Sequence, residues 1–328
     1  MRALIVLPGY LGDTVFLGPT VRAIKERWPD GRTALCVTPR GEGVARNLPG
    51  CDEVIVYDKR GADRGASGLW RAARRLRAFR PDLALVPHRS PRTGLLAWLS
   101  GAPRRIGYAP LCSERVPLDR SRRFVDRALV LAQRAGANGG PALALRTPAA
   151  LSGYAGRVLG DPAHPIVGLV HGAEWATKRW STESFALLAA ELSRRGGSVV
   201  LLGGPADVAT AARIRELAGV ELRDTTGNTV EEALAVLARC DLVVGGDTGL
   251  VHCARALGRP TLVLFGPTDP GRHQLAAREG ALAAGIECQP CHDHGPERCP
   301  LGHHDCMRLL SVPAVADAAL ALLDAPGA

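Results

Sequence analysis

The chain has 328 residues, of which 46% are hydrophobic, 22% charged and 4% aromatic. This length predicts two domains, and the composition excludes a disordered chain and a stacking platform of aromatic side chains for single-stranded nucleic acid. The net charge of +9 is uneven, because residues 1–150 hold 26 Lys and Arg against 12 Asp and Glu, whereas residues 151–328 hold 15 against 20. A basic first half favours an anionic partner, although on charge alone a solvated basic face is an equal alternative.

The first half alternates short apolar runs with helical patterns. The predicted strands are Ala3–Leu7, Thr33–Val37, Val54–Tyr57 and Leu83–Val86. The predicted helices are Thr14–Trp28, Leu69–Phe79 and Thr93–Leu99. The apolar start of the chain is too short for a secretory signal, and no apolar run is long enough to cross a bilayer, so we expect a cytoplasmic protein.

The same alternation returns in the second half. The predicted strands are Ile166–Val170, Ser198–Leu202, Leu242–Val244 and Thr261–Phe265. The predicted helices are Ser181–Arg194, Val208–Leu217, Val230–Ala238 and Leu250–Leu257. Residues 141–165, rich in Pro, Gly and Ala, separate the two halves and contain one short helical pattern at Ser152–Leu159.

Strands of four to six apolar residues that alternate with helices are typical of parallel sheets covered by helices on both faces. We therefore predict an α/β protein with two Rossmann-like parallel-sheet domains that face each other across a cleft. The first domain is assigned to residues 1–150 and the second to residues 151–328, with the C-terminal helix packing back on the first domain.

Two loops repeat one local pattern, in which Gly-Asp-Thr follows a strand and precedes a helix. They are Gly12-Asp13-Thr14 and Gly246-Asp247-Thr248-Gly249. Ligands of open parallel sheets bind at this edge, where helix N-termini attract phosphate, although the Asp and Thr of either loop alone are also typical helix caps. The sequence lacks the Gly-rich dinucleotide and P-loop signatures and the Gly-x-Ser-x-Gly elbow, which argues against a dehydrogenase, a P-loop nucleotidase and an α/β-hydrolase.

Polar, Gly-bearing loops follow consecutive strands of the second half. They are His171-Gly172-Ala173-Glu174 with Lys178-Arg179-Trp180, Thr225-Thr226-Gly227-Asn228-Thr229, Asp247-Thr248-Gly249-Leu250-Val251-His252 and Gly266-Pro267-Thr268-Asp269-Pro270. Each loop alone is typical of a turn. Together they suit a diphosphate, because a lysine neutralises its charge and peptide amides donate to its oxygens.

As a set, these loops resemble glycosyltransferase family 9. Counterparts in the first half are Gly12-Asp13 and the stretch from His88-Arg89-Ser90 to Arg104-Arg105-Ile106-Gly107-Tyr108, so the resemblance spans about residues 1 to 325. Within the family, the Gly-Ala-Glu and Lys-Arg-Trp forms resemble the heptosyltransferase II type more than the heptosyltransferase I type. The resemblance implies the GT-B fold, no obligatory catalytic metal or other cofactor, and inverting transfer of heptose from ADP-heptose to the lipopolysaccharide inner core.

The resemblance also implies roles for particular residues. Asp13 would be the catalytic base that takes the proton of the acceptor hydroxyl. The implied donor-binding residues are Glu174, Lys178, Thr226, Gly227, Asn228, Asp247, Thr248, Gly249 and His252. The basic first domain would bind the anionic acceptor at the cytosolic face of the inner membrane, as a peripheral protein that binds no nucleic acid. The acceptor-binding candidates are Arg89, Ser90, Arg92 and Arg104.

Four of the nine cysteines form a cluster near the C-terminus, interleaved with histidines. They are Cys288, Cys291, Cys299 and Cys306. Their number and softness suit zinc or an iron–sulfur cluster, but the second pair is spaced too widely for a zinc ribbon. A structural metal such as zinc, disulfides and unpaired thiols all stay open for this segment.

Two other functions compete with heptose transfer. One is a GT-B transferase or epimerase that uses another nucleotide sugar, and the other is a sugar-nucleotide-binding protein without catalysis. The Asp247 to His252 loop favours ADP-heptose as the donor. The presence of both Asp13 and Lys178 disfavours a binding protein without catalytic activity.

Overall fold

The computed structural model describes residues 1–325, and the chain divides into two compact units, Met1–Arg146 and Thr147–Ala328. Each unit contains one six-stranded sheet in which every strand pair is parallel. The predicted pair of Rossmann-like parallel sheets is therefore confirmed.

The first unit follows the predicted alternation and adds elements to it. Its strands are β1 (Arg2–Val6), β2 (Arg32–Val37), β3 (Glu53–Val56), β4 (Leu83–Val86), β5 (Arg104–Gly107) and β6 (Glu114–Arg115). Its helices are α1 (Leu11–Phe16), α2 (Gly18–Arg27), α3 (Pro39–Arg46), α4 (Gly65–Ala78), α5 (Pro91–Leu99) and α6 (Phe124–Arg134). The strand order is β3-β2-β1-β4-β5-β6, with β1 and β4 at the centre.

The second unit repeats that order. Its strands are β7 (Ile166–Val170), β8 (Ser198–Leu202), β9 (Arg223–Asp224), β10 (Leu242–Gly246), β11 (Thr261–Phe265) and β12 (Glu279–Ala283). Its helices are α7 (Tyr154–Leu159), α8 (Thr182–Arg194), α9 (Val208–Ala218), α10 (Val230–Leu237), α11 (Gly249–Ala256), α12 (Asp305–Arg308) and α13 (Val312–Asp324). The sheet runs β12-β11-β10-β7-β8-β9, so that β7 and β10 occupy the central positions.

The apolar runs in the sequence become the central strands because both faces of each sheet are buried. All five residues of β7, β10 and β11 are buried. In the first unit, Ile5 pairs in register with Leu35 of β2 and with Leu85 of β4, and all three side chains are fully buried. Continuous burial favours an unbroken apolar strand over an alternating one.

One prediction about the helices needs correction. The single helix predicted over residues 14–28 is two helices, α1 and α2, since Pro19 has no backbone N–H to donate and stands in the first turn of the second helix. The C-terminal helix, α13, belongs to the second unit. Its buried residues Val315, Ala316 and Ala319 join the apolar core beside β10 and β11.

Among the described residues, no helix has both the length and the apolar character needed to cross a membrane.

Candidate active site

The two central strands of each sheet define the edge where the candidate residues gather. In both units the strand order reverses direction at this point, between β1 and β4 and between β7 and β10. Open α/β sheets bind ligands in the crevice beyond the carboxyl ends of such strands. Lys178 follows β7, and Asp247 follows β10 directly, so the second unit brings both residues to this position.

The Lys178 ammonium and the Asp247 carboxylate form a nearly buried ion pair. Lys178 Nζ lies 2.5 Å from Asp247 Oδ2, with the two side chains 12% and 5% exposed. A short backbone approach makes this possible, because a Cβ on Gly246 would lie 2.4 Å from the Lys178 carbonyl oxygen. The sequence prediction that Asp247 only caps α11 is thereby disfavoured, since its carboxylate faces lysine.

His252 holds the other side of the same carboxylate. Its Nε2 lies 2.9 Å from Asp247 Oδ1, and its Nδ1 lies 3.3 Å from Nη1 of Arg255. Because arginine only donates hydrogen bonds, His252 Nδ1 must accept the bond from Arg255. The proton of His252 therefore lies on Nε2, which donates a hydrogen bond to Asp247. Arg255 is fixed in turn by Glu279, whose Oε2 accepts from Arg255 Nε over 2.9 Å.

Two residues outside the predicted set complete the cluster around Asp247. Thr268 donates its hydroxyl to Asp247 Oδ2 over 2.8 Å, and His273 Nε2 lies 3.4 Å from Oδ1. The His273 ring stacks on His252 with 5.0 Å between centroids. Thr268 stands in the Gly-Pro-Thr-Asp motif of the sequence, whereas nothing in the local pattern marks His273.

Burial and charge together set the protonation of this cluster. Burial acts to raise the pKa of Asp247, but the hydrogen bond from His252 and the charge of Lys178 hold it well below its usual range. Burial lowers the pKa of His252 although Asp247 opposes that shift. Burial and the adjacent His252 lower the pKa of His273 to about 3. At neutral pH the carboxylate is therefore charged and both imidazoles are neutral.

Asp247, His252 and His273 also meet the distance criterion for a metal site, with ligand atoms within 4.8 Å of one another. The Lys178 ammonium, however, argues against a metal ion at this position. It already neutralises Asp247, and a cation would have to approach this second positive charge at close range. The arrangement suits an anion beside Lys178 better than a metal ion.

The remaining donor-side candidates lie on the loops after β7, β9 and β10. Buried His171 is hydrogen-bonded through Nε2 to Thr226 Oγ1 at 3.1 Å, which joins two of the predicted loops. Glu174 is exposed on the His171 loop. Gly227 and Asn228 follow Thr226 and precede the capped start of α10. Thr248 is the N-cap of α11 and Gly249 is its first residue.

In the first unit, Asp13 lies in the first turn of α1, just beyond the carboxyl end of β1. Its Oδ2 accepts from the Tyr10 amide over 3.3 Å, so part of its role is to cap this turn. Lys59, which sequence reasoning missed, follows β3 and donates to the Pro8 carbonyl over 2.7 Å. Burial and the charges of Arg60 and Arg92 lower the pKa of Lys59, while the nearby Asp13 carboxylate opposes the shift. Asp13 and Lys59 therefore both lie beyond the carboxyl ends of strands in the first sheet.

The acceptor-side candidates divide into two groups. Arg89, Ser90 and Arg92 stand beyond β4 at the start of α5, and Arg92 lies over the Tyr57 ring at 5.5 Å. Arg104 does not join them, because it is the first residue of β5. It therefore lies at the amino-terminal ends of the parallel strands, whereas Arg89, Ser90 and Arg92 lie beyond the carboxyl end of β4. Its guanidinium is bound to Glu114 at 2.6 Å and to the Arg134 carbonyl at 2.8 Å.

All nine cysteines lie within the described residues and are free thiols. The clustered ones, Cys288, Cys291, Cys299 and Cys306, belong to the segment between β12 and α13. This segment packs on the loop after β11, where the Cys291 amide donates to the Pro267 carbonyl over 3.0 Å. The disulfides left open by the sequence are not formed.

Comparison with known proteins agrees with this arrangement. The sequence profile of glycosyltransferase family 9 (heptosyltransferase) matches residues 69–299. The chain belongs to glycosyltransferase family 9. Lipopolysaccharide heptosyltransferase 2 of Salmonella typhimurium is 28% identical over 293 residues, which cover 82% of this chain and 84% of that protein.

Solved structures of the family share the fold along the whole chain. A family 9 glycosyltransferase from Veillonella parvula superposes with a TM-score of 0.87 at 24% identity, covering 98% of this chain and 97% of the other. ADP-heptose lipopolysaccharide heptosyltransferase II of Escherichia coli gives a TM-score of 0.79 at 23% identity, covering 98% of both chains. The predicted GT-B fold and the assignment as a glycosyltransferase are confirmed.

Proposed function

We propose that this family 9 enzyme transfers heptose from ADP-heptose to the inner core of lipopolysaccharide, as a heptosyltransferase of type II. The observation that carries the proposal is the Lys178–Asp247–His252 cluster beside the N-terminus of α11, in a chain that aligns with a heptosyltransferase 2 over 84% of that relative's length.

The second unit would bind the donor. Lys178 Nζ is nearly buried and already oriented by Asp247, so a diphosphate would gain a cation that loses little side-chain freedom on binding. The amides of Thr248 and Gly249 at the start of α11 would donate to phosphate oxygens. Thr226, Gly227 and Asn228 would face the nucleoside, and Glu174 would lie near the sugar or its phosphates.

The first unit would supply the base. Asp13 would take the proton of the acceptor hydroxyl as its oxygen forms a bond to the anomeric carbon, while the bond from that carbon to the β-phosphate oxygen breaks and its electron pair leaves with ADP. A single carboxylate suffices for inversion, because ADP leaves as an anion that needs no proton. Lys178 and the helix amides would stabilise the charge that develops on it, without a bound metal.

The acceptor side would be anionic and membrane-bound. Arg89, Ser90 and Arg92 would contact acid groups of the core beside Asp13, and the exposed arginines of α4 would attract the enzyme to the anionic cytosolic leaflet. Attachment of this kind is peripheral and reversible, and it places the reaction in the cytoplasm at the inner-membrane surface.

A nucleotide panel followed by a turnover assay tests the proposal. We expect ADP to raise the Tm of the purified chain more than UDP, GDP or adenosine do, and ADP-heptose to yield ADP only when a heptose-bearing core acceptor is added. A larger shift with UDP would point to another nucleotide sugar. Stabilisation by ADP without any transfer to defined core acceptors would point to a binding protein.

A further inference from the structure

The turn between β1 and α1, residues 7–10, is anchored by side chains from two other loops of the first unit. The hydroxyl of Thr38, directly after β2, donates to the Gly9 carbonyl over 3.0 Å. The ammonium of Lys59, in the loop after β3, donates to the Pro8 carbonyl over 2.7 Å. Two consecutive carbonyls of this turn are therefore bound by residues that are distant in sequence.

The same turn packs against the carboxylate of Asp13. A Cβ on Gly9 would lie 2.9 Å from Asp13 Oδ2, so any side chain at position 9 would displace the carboxylate. The next amide along the chain, that of Tyr10, donates to the same oxygen over 3.3 Å. The orientation of the Asp13 carboxylate therefore depends on where the turn is held.

Lys59 lies close to the Asp13 carboxylate as well as to the turn. Its side chain is half-buried, and burial lowers the pKa of its ammonium, while the Asp13 charge is near enough to oppose that shift. A cation that has lost part of its hydration is stabilised by a hydrogen bond to a carbonyl and by an adjacent carboxylate. The Pro8 carbonyl and the Asp13 charge thus both hold the ammonium at this position.

Two arginines near Lys59 have a different environment. Arg60 and Arg92 are exposed, and their charges act on Lys59. Exposed guanidinium groups suit contact with an anionic ligand that arrives from solvent. Lys59 Nζ instead donates inward, to the backbone of the buried Pro8. This contact separates Lys59 from the acceptor-binding candidates and associates it with the turn that carries the base.

We propose that Lys59 is a positioning residue for Asp13, because its bond to the Pro8 carbonyl fixes the turn against which the Asp13 carboxylate packs. The proposal rests on the role of Asp13 as the base, which is part of the function proposed above. Lys59 would act through Asp13 and would exchange no proton with the acceptor. Misplacement of a catalytic group by about 1 Å can cost roughly 10²-fold in rate, so the loss of such an anchor acts on the transfer step.

Substitution of Lys59 in the full-length chain tests this role. Lys59→Met, which keeps the apolar stem and removes the donor and the charge, should lower the single-turnover rate at saturating acceptor by about 10- to 100-fold. The KM for the acceptor and the affinity for ADP should change less than about twofold, since neither ligand is bound by Lys59. Lys59→Arg, which keeps a donor and the charge, should restore most of the rate.

The matched control is Lys25→Met. It removes a half-exposed ion pair to Asp52 in the same unit and should leave the rate and both affinities unchanged. A wild-type rate in Lys59→Met would overturn the proposal. A loss confined to the acceptor KM would also overturn it and make Lys59 an acceptor-binding residue. Should Lys59→Met fail to fold, as judged by circular dichroism, Lys59→Gln is measured against the same criteria.

A double-mutant cycle with Asp13→Asn shows whether Lys59 acts through Asp13. In that background Lys59→Met should cause little further loss, because the base that it positions is already absent. A second loss as large as the one in the wild-type background would give Lys59 a separate role and overturn the proposal. Wild-type turnover of Asp13→Asn alone would overturn the proposed base. An inactive Asp13→Asn beside a fully active Lys59→Met would overturn only the positioning role.

Discussion

The two units have the same strand order but carry different side chains beyond the carboxyl ends of their central strands. Beyond β7 and β10, the second unit carries a buried network in which Asp247 is bound by Lys178, His252 and Thr268, and His252 is also bound by Arg255. Beyond β1 and β4, the first unit carries Asp13 in a half-buried turn and the exposed Arg89 and Arg92. The first unit is also basic, whereas the second is mildly acidic.

This difference follows from what each edge would bind. A diphosphate is small and always the same, so a rigid, nearly dry cation in a fixed place recognises it with little loss of entropy. A large anionic acceptor at a membrane presents many charges, and exposed arginines meet these with little desolvation cost. The five predictions that follow probe the two edges separately, from the largest expected effect to the smallest.

Asp13→Asn should lower transfer by about 10²–10⁴-fold and leave ADP affinity nearly unchanged, because only the first unit loses its base. The measurement is ADP release under single-turnover conditions together with ADP binding by calorimetry. Asp119→Asn, an exposed acid elsewhere in the first unit, is the matched control and should keep full activity. Turnover near that of the wild type would remove Asp13 from its role.

Lys178→Ala should weaken ADP binding by about 1.5–3 kcal/mol, or roughly 10–100-fold, and adenosine binding far less. The reason is that the lysine acts on the diphosphate and its loss also leaves Asp247 without its cation. Lys25→Ala, which removes a half-exposed ion pair to Asp52 in the first unit, should leave both affinities unchanged. Equal losses for ADP and adenosine would make Lys178 a structural residue only.

Acidification should destabilise the second unit through His273. Its pKa falls from 6.5 to about 3 on folding, so the unfolded chain binds a proton that the folded chain does not. Stability is therefore complete above pH 6.5 and declines as the pH falls from there toward 3. His273→Gln should flatten the fall in Tm between pH 7 and 5, and an unchanged slope would remove His273 as the cause of the acid sensitivity.

Arg74→Ala with Arg77→Ala should weaken association with anionic vesicles about 30-fold at low salt, because each basic residue near such a surface adds roughly 1 kcal/mol. Both side chains are exposed on α4. The neighbouring Arg75 is left intact, since it is bound to the buried Asp63 at 2.5 Å. Vesicle binding that changes neither with the substitutions nor with rising salt would show that the basic face of α4 is only solvated and does not bind the membrane.

Arg89→Ala and Arg92→Ala should each raise the apparent KM for the acceptor about two- to fivefold, the scale of exposed charge pairs, with no change in ADP affinity. Arg104→Ala is the matched control, since its guanidinium is bound to Glu114 at the opposite sheet edge. Should the Arg89 and Arg92 variants change only the affinity for ADP, the acceptor would not be bound by the first unit.

The central strands and their loops could be read from the sequence because burial on both faces requires unbroken apolar runs. Leu83–Val86, Ile166–Val170, Ser198–Leu202 and Thr261–Phe265 were predicted with the bounds that the structure has. The strands that were missed lie at or near the sheet edges, where the pattern is weak: β5 begins with two arginines, and β12 is only half-buried. Helix α3 was also missed, because it begins at a proline and contains two glycines, which weaken a helical pattern.

The site was predictable where its residues stand in motifs directly beyond strands. Asp247, His252 and Lys178 come together as such motifs imply. His273 and Glu279 were not predictable, because they reach the cluster through tertiary packing from positions without any local signal. Arg104 was misplaced because a basic residue near a strand does not reveal which end of that strand it occupies.

The division of the chain at Arg146 has a consequence for synthesis on the ribosome. Every strand of the first sheet is present once residue 146 has emerged, whereas a further 178 residues must be translated before α13 is complete, which takes about 9–36 s at typical elongation rates. The first unit therefore has time to fold before its neighbour is complete. The second unit must wait for α13, the last helix of its core, so interrupted translation near the end would expose the apolar face of β10 and β11 to aggregation.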